Sequence, residues 1–209
     1  MSVPIESNVA VAETIALPEP RRTGQAALEA VMSARRSVRD FTAGSIALAE
    51  LGQLLWAAQG MTCADAGRTA PSAGATYPLE LYAVAGTVDD LPPGVYRYDS
   101  RRHALHGIAA GDRRRALAAA ALSQTWVADA ALVLVIAAVF KRTTSKYGRR
   151  GERYVHIEAG HAGQNVCLQA EALGLGTTVV GAFGDDAVKG VIGADEPGEP
   201  LCLLPIGRA

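Results

Sequence analysis

The chain has 209 residues, 49% of them apolar and 20% charged, with a net charge of −1. That is enough chain for one sizeable core, and too little charge imbalance to argue for nucleic acid or an acidic membrane as partner. Cys63, Cys167 and Cys202 are an odd number with no C-x-x-C pair, which argues against a disulfide framework and makes a reducing cytoplasm the expected compartment.

Residues 1–22 read as an extended arm, with Pro4, Pro18 and Pro20 and no helical period, of the kind that frays or lies across a partner subunit. Its first twenty residues carry three acids and no base, so they lack the positive start of a signal peptide. Residues 23–209 read as one domain. A helix is predicted from Gln25 to Ala34, and a second from Ser45-Ile46 to Gln59, where Leu48, Leu51, Leu55 and Ala58 share a face and Gly60 ends it. Strands are predicted at Leu79 to Ala85, "GVYRY" and "HALHGI", the last two joined at Asp99-Ser100. Asp112 opens a helix through "RRRALAAAALSQ". The run from Ala130 to Phe140 is too continuously apolar to alternate and reads as a strand buried on both faces; it is about half the ~20 residues a membrane span needs. A long helix over about Arg153 to Leu173, a buried strand "TTVVGAF", a short helix from Asp185 to Ile192 and a last strand "PLCLLPIG" complete an α+β chain built around one sheet.

Several familiar sites are absent. There is no G-x-x-x-x-G-K-[ST] and no G-x-S-x-G, and "GLGTTVVG" lies between helix and strand, the reverse of a dinucleotide-binding turn. His156 and His161 are five apart, so on a helix they point ~140° away from each other and suit no metal. The polar residues of "HIEAGH" read as groups on a buried helix, bonded to one another or to an interface. Residues 141–153 hold six bases (Lys141, Arg142, Lys146, Arg149, Arg150 and Arg153) against Glu152 alone, either a solvated face or the seat of an anionic or peptide substrate.

Two stretches point to a ligand. In "ARRSVRDF", Arg35, Ser37 and Arg39 alternate, so an extended backbone turns two guanidinium forks and a hydroxyl the same way, either a charged linker or a phosphate clamp. Arg208, just after the last strand, is placed to join the same anion. From Pro71 to Thr76 no side chain exceeds proline or threonine in size, which suits a simple turn or the close approach of a flat ring; "VVGAF" offers a second bare backbone. A phosphate clamp beside a flat ring suggests a mononucleotide, and the missing dinucleotide turn favours FMN over NAD or FAD.

In order, "RRSVRDF", "LAELGQLLWAAQG", "PSAGATYPLELYAV", "GVYRYD", "KYGRRGERYVHIEAGHAGQNVCLQAEALGLGTTVVGAF" and "PLCLLPIGR" resemble the nitroreductase superfamily, and within it the SagB-type dehydrogenase branch, over about residues 20 to 208. The resemblance implies an α+β FMN-binding fold, a central and mostly antiparallel sheet flanked by helices, in an intertwined homodimer with FMN at the subunit interface. It implies that Arg35, Ser37 and Arg39, with Arg36 beside them, bind the phosphate, ribityl chain and pyrimidine edge. Pro71, Ser72, Ala73 and Gly74 of the partner subunit would line the isoalloxazine, Val180, Gly181 and Ala182 would bring main chain near N5, and Arg208 would reach the phosphate. The branch uses a Lys-Tyr pair for proton transfer in oxidising azolines to azoles, which marks Lys146 and Tyr147 as catalytic. A peptide-derived or small heterocyclic substrate and a cyclodehydratase-type partner follow, with no nucleic acid and no membrane. The resemblance leaves two other roles open: an NAD(P)H-dependent nitro, quinone or flavin reductase, and a non-catalytic flavin-binding partner subunit. One departure stands out. Many members carry Ser-Ser-x-Asn-x-Gln-Pro where this chain has Ser72-Ala73-Gly74-Ala75-Thr76-Tyr77-Pro78, so the asparagine's contact is lost or remade.

Overall fold

A computed structural model of the chain describes residues 14–63, 67–193 and 198–209. Seven strands form one sheet in the order β1-β4-β3-β2-β5-β7-β6: β1 Thr14–Ala16, β2 Leu79–Ala85, β3 Gly94–Asp99, β4 Ala104–Ala110, β5 Leu132–Ala138, β6 Leu175–Thr177 and β7 Glu199–Arg208. All pairings between these strands are antiparallel. Among the described residues seven α-helices surround it: α1 Leu28–Ala34, α2 Leu48–Gln59, α3 Arg114–Ala120, α4 Trp126–Asp129, α5 Lys141–Tyr147, α6 Arg150–Ala172 and α7 Asp185–Ile192.

The central strand explains the unbroken apolar run. Leu132, Leu134, Ile136 and Ala138 of β5 face one core with α2 and α6, while Val133, Val135 and Ala137 face a second core with α3 and α7. With both faces covered, neither parity of the strand can be polar. Val155, Ala159, Ala162, Val166 and Ala170 recur every three or four residues along α6, the face it lays against the first core. The arm adds a strand: β1 pairs with β4, and Leu17 and Pro18 continue onto His103, whose ring bonds the Pro18 carbonyl and the Tyr98 hydroxyl. Residues 1–13, the rest of the predicted arm, lie outside the described residues.

Several predicted elements differ from the structure, α1 among them, which starts at Leu28 instead of Gln25. The basic run after β5, which no predicted element covered, forms α5; Thr143 is buried and the Thr144 hydroxyl donates to the Phe140 carbonyl, so the charges form only its outer face. Helix α6 starts three residues early, at Arg150. The helix opened by Asp112, whose carboxylate accepts the Arg114 N–H, stops at Ala120, and Leu122 and Ser123 turn with positive φ before α4. "TTVVGAF" is no continuous buried strand: β6 ends at Thr177, Val179 is 51% exposed, and Val180 alone returns to the sheet through two main-chain bonds with Leu203.

Candidate functional site

The arginine segment is fixed by its backbone. After α1, Ser37 bridges Thr177 in parallel, the Val38 N–H donates to the Thr177 carbonyl at 3.0 Å, and the Thr42 N–H donates to the Arg208 carbonyl at 2.9 Å. Residues 37–42 thus run beside the β6 edge, close enough that a Cβ on Gly176 would stand 2.7 Å from Val38 Cγ1. Arg36 turns back and donates to the carbonyls of Ser33, Ala34 and Arg35, satisfying the open end of α1. Arg39 lies over the Trp126 ring, 5.8 Å from its centroid, and is exposed, as is Ser37; Arg35 is half-buried.

Arg208 reaches this corner with its fork already engaged. Nη1 and Nη2 donate to the two Glu50 oxygens at 3.0 and 2.7 Å, and Nε donates to the Ser45 carbonyl. The same Glu50 carboxylate accepts the Ala47 N–H and so caps α2. Each Nη retains one N–H outside the pair, available to an anion. Gly181 and Ala182 lie exposed on the chain that leaves Val180, held by the Gln124 amide donating to the Ala182 carbonyl. A Cβ built on Gly181 would meet nothing within 4 Å, so its main chain is open to a flat ligand.

The small-residue loop is held by side chains instead. Ala73–Ala75 form one tight 3-10 turn in which Gly74 has φ +59°, and Ala75 and Tyr77 also take positive φ. Left-handed backbone at two non-glycine residues costs about 1 kcal/mol each. It is over-determined by its bonds: Ser72 Oγ accepts the Tyr77 N–H at 2.9 Å, the Thr76 hydroxyl donates to the Ala73 carbonyl, and Thr143 on α5 shares a 2.7 Å hydroxyl pair with Thr76. Arg142, ion-paired with Glu80, also donates to the Tyr77 carbonyl.

Lys146 and Tyr147 come to this loop from the far end of α5. Lys146 Nζ donates to the Gly74 carbonyl at 3.2 Å, and a Cβ on Gly74 would stand 2.6 Å from Nζ and closer still to the Tyr147 hydroxyl. A side chain at Gly74 would have to displace the ends of both, and its φ of +59° favours glycine. The Tyr147 ring packs edge-on against Tyr154 at 5.2 Å. The predicted catalytic pair and the predicted ring-lining loop are therefore one structure.

Beneath the loop lies a polar cluster that the sequence reading missed. Glu158, 2% exposed, faces the Ser72 hydroxyl, and burial pushes its carboxyl up against the opposing pull of Ser72, Arg68 and Gln59. Arg68 stacks on the Tyr77 ring at 4.4 Å and donates to Gln59 Oε1 at 2.9 Å; burial lowers its guanidinium. Glu158 packs inside its own chain, and the half-buried Asn165 donates to the Ala57 carbonyl. Glu50 carried a readable signal, an acid three residues into the first turn of α2; Arg68 and Glu158 carried none. Among the described residues no three metal-ligating side chains gather, and His156 lies edge-on to Phe140.

The two halves do not meet within the chain. Thr177 and Leu132 both pair with Ile206 at one end of the sheet, whereas Leu79 and Glu199 both pair with Ala138 at the other. The six-residue run of β5 between them spans about 20 Å. The arginine segment and Arg208 stand at the first end, the loop with Lys146 and Tyr147 at the second.

An antiparallel sheet packed by helices on both faces carries an exposed arginine segment at one end and a tight small-residue loop at the other, an α+β fold. The Nitroreductase family pattern matches residues 32–208, and the chain belongs to that family. It is 47% identical over 181 residues, 87% of this chain and 90% of the other, to a protein of Methanocaldococcus jannaschii assigned to the nitroreductases by name only. It is 28% identical to the trifolitoxin operon protein TfxC of Rhizobium leguminosarum, covering 91% of this chain and 58% of that one. Among solved structures, a Ralstonia eutropha protein of the same assignment superposes with TM-score 0.82 at 32% identity, over 97% of this chain and 92% of that one. The Escherichia coli microcin synthetase McbBCD complex with truncated pro-MccB17 bound matches all of this chain and 83% of its own with TM-score 0.70 at 21% identity. The Vibrio harveyi NADPH:FMN oxidoreductase matches 87% of this chain and 68% of its own with TM-score 0.62 at 22% identity. These last two show likeness of fold.

Proposed function

We propose that this nitroreductase-family protein is an FMN-dependent oxidoreductase of the SagB type that oxidises a peptide-derived or small heterocyclic substrate, azoline to azole. The observation that carries this reading is the contact of Lys146 and Tyr147 with Gly74 of the small-residue loop. A fold neighbour from a microcin synthetase complex and a relative from a trifolitoxin operon support the substrate class, and suggest a cyclodehydratase-type partner.

The residues present fit FMN. Arg35, Ser37 and Arg39 offer an exposed anion-binding edge, the free N–H groups of Arg208 lie beside it, and the Gly181 main chain is open. The separation of the halves by about 20 Å favours a homodimer in which one subunit supplies the arginine end and its partner the loop. When bound, FMN supplies a two-electron acceptor. With it bound, Lys146 would take the proton from the substrate carbon, Tyr147, whose ring centroid lies 5.6 Å from Nζ, would orient the amine, and the bare main chain at Gly74 would leave room for a flat ring.

Purified protein should show flavin absorption bands that survive Lys146→Ala and Tyr147→Phe while azole formation stops. Absence of flavin after soaking with FMN sinks the assignment. An NAD(P)H-dependent nitro, quinone or flavin reductase is the second reading, favoured by the 47% identical relative and by the NADPH:FMN oxidoreductase among the fold neighbours. Prompt anaerobic bleaching of bound flavin by NADH or NADPH selects it.

A further inference from the structure

Tyr77 is gripped from three directions. Its ring carries the Arg68 guanidinium at 4.4 Å, its N–H donates to Ser72 Oγ at 2.9 Å, and its carbonyl accepts from Arg142 at 3.2 Å. Its φ is +44°, a backbone that a tyrosine keeps only where its surroundings impose it. Two of the grips act on main chain, and the third needs a cation. The half-buried Arg68 is kept there against the cost of burial, which lowers its guanidinium. Its Nη1 takes up Gln59 Oε1 at 2.9 Å. Gln59 Nε2 and Glu158 Oε1 lie shut off from solvent, neither in hydrogen-bonding geometry with a partner among the described residues. Apolar side chains of the same volume would stabilise the fold at least as well, so the use of this cluster lies in what it places.

We infer that Arg68 is a positioning residue for the reaction: through the Tyr77 ring it sets the left-handed turn that carries the Gly74 carbonyl to Lys146. This rests on the reading of Lys146 as the base. The route is short. Tyr77 closes the turn whose middle is Gly74, and the Gly74 carbonyl accepts the hydrogen bond of the Lys146 amine. A lysine on a helix end has many rotamers, and a fixed acceptor selects one of them. The guanidinium suits the task because it can lie flat on the ring and bond Gln59 at once, which a lysine's point charge cannot. Each of these contacts lies inside one chain, so the argument holds whichever faces a second copy covers.

The test is nuclear magnetic resonance of the full chain labelled with ¹³C at lysine Cε, where Lys141, Lys146 and Lys189 are its lysines. Arg68→Met, which keeps the stem and removes the charge, should move the Lys146 signal and leave that of Lys189, paired with Glu199 on α7, in place. Arg68→Lys should move it less, and it carries the test if Arg68→Met does not fold. In a Tyr77→Leu background Arg68→Met should add no further movement. Azole formation should fall about tenfold in Arg68→Met, through turnover more than through KM. A Lys146 signal that stays put in both Arg68 variants overturns the inference. So does equal movement at Lys189, which marks a general loosening, and so does additive movement in the Tyr77→Leu background. A parent that forms no azole while its Lys146 signal responds to Arg68 sinks the dehydrogenase reading and keeps the clamp. Azole formation with a Lys146 signal indifferent to Arg68 sinks the clamp alone.

Discussion

Ser37 and Val38 owe their positions to main-chain bonds along a sheet edge, whereas Gly74, Ala75 and Tyr77 are held left-handed by side chains of the loop itself and of α5. At the arginine end the scaffold is backbone and the chemistry is side chain, so the two can be separated by mutation. At the loop end the residues proposed for catalysis are also neighbours that shape the loop. Truncation there mixes chemistry with structure, and the choice of variant matters more.

The sharpest break in this contrast is Gly74→Val. A β-branched residue at φ +59°, driven into the Lys146 amine and the Tyr147 hydroxyl, should displace the loop and cost about 2–3 kcal/mol of stability. A fall in melting temperature with loss of nearly all turnover is expected; unchanged values refute the packing described here. Lys146→Ala comes next, with turnover down about 100-fold or more and stability within ~0.5 kcal/mol, because its bond to the Gly74 carbonyl is exposed. Parallel loss of melting temperature would make Lys146 a strut instead of a base.

At the other end, Glu50→Ala removes both the Arg208 fork and the α2 cap, and about 1–2 kcal/mol should go with them. Flavin affinity should drop several-fold as Arg208 loses its anchor, read by titration with FMN. The smallest effect is a pH slope. Burial raises the Glu158 carboxyl above 4.5, with Ser72, Arg68 and Gln59 pulling the other way, so the fold prefers the neutral acid. That contribution is complete below the unfolded value and is lost as pH climbs through the raised folded one. Melting curves from about pH 4 to about pH 8 should therefore show Glu158→Gln gaining on the parent as pH rises. A constant difference would mean the carboxylate is ionised throughout.

Much of the architecture was legible because it is periodic. The predicted spans of β2 and α7 match the structure residue for residue, α2 ends at Gly60, and the unbroken apolar run is the central strand with two cores against it. The misplaced elements share a cause. In α5 the charges conceal a short buried side, and after Thr177 the chain leaves the sheet at Val179, touches it again only at Val180, and then exposes Gly181 and Ala182. Cys167 and Cys202 are buried, and burial pushes the Cys202 thiol up to about 12.

By itself the sequence determined the alternation, the helical faces and the small-residue loop, since these are properties of near neighbours along the chain. Only the tertiary structure decided that Lys146 meets Gly74, 72 residues away, that Glu50 engages Arg208, and that Glu158 lies under Ser72. It also decided that the arginine end and the loop end stand at opposite ends of β5. Such contacts depend on how sheet and helices pack, and residue type carries no record of distance across a fold.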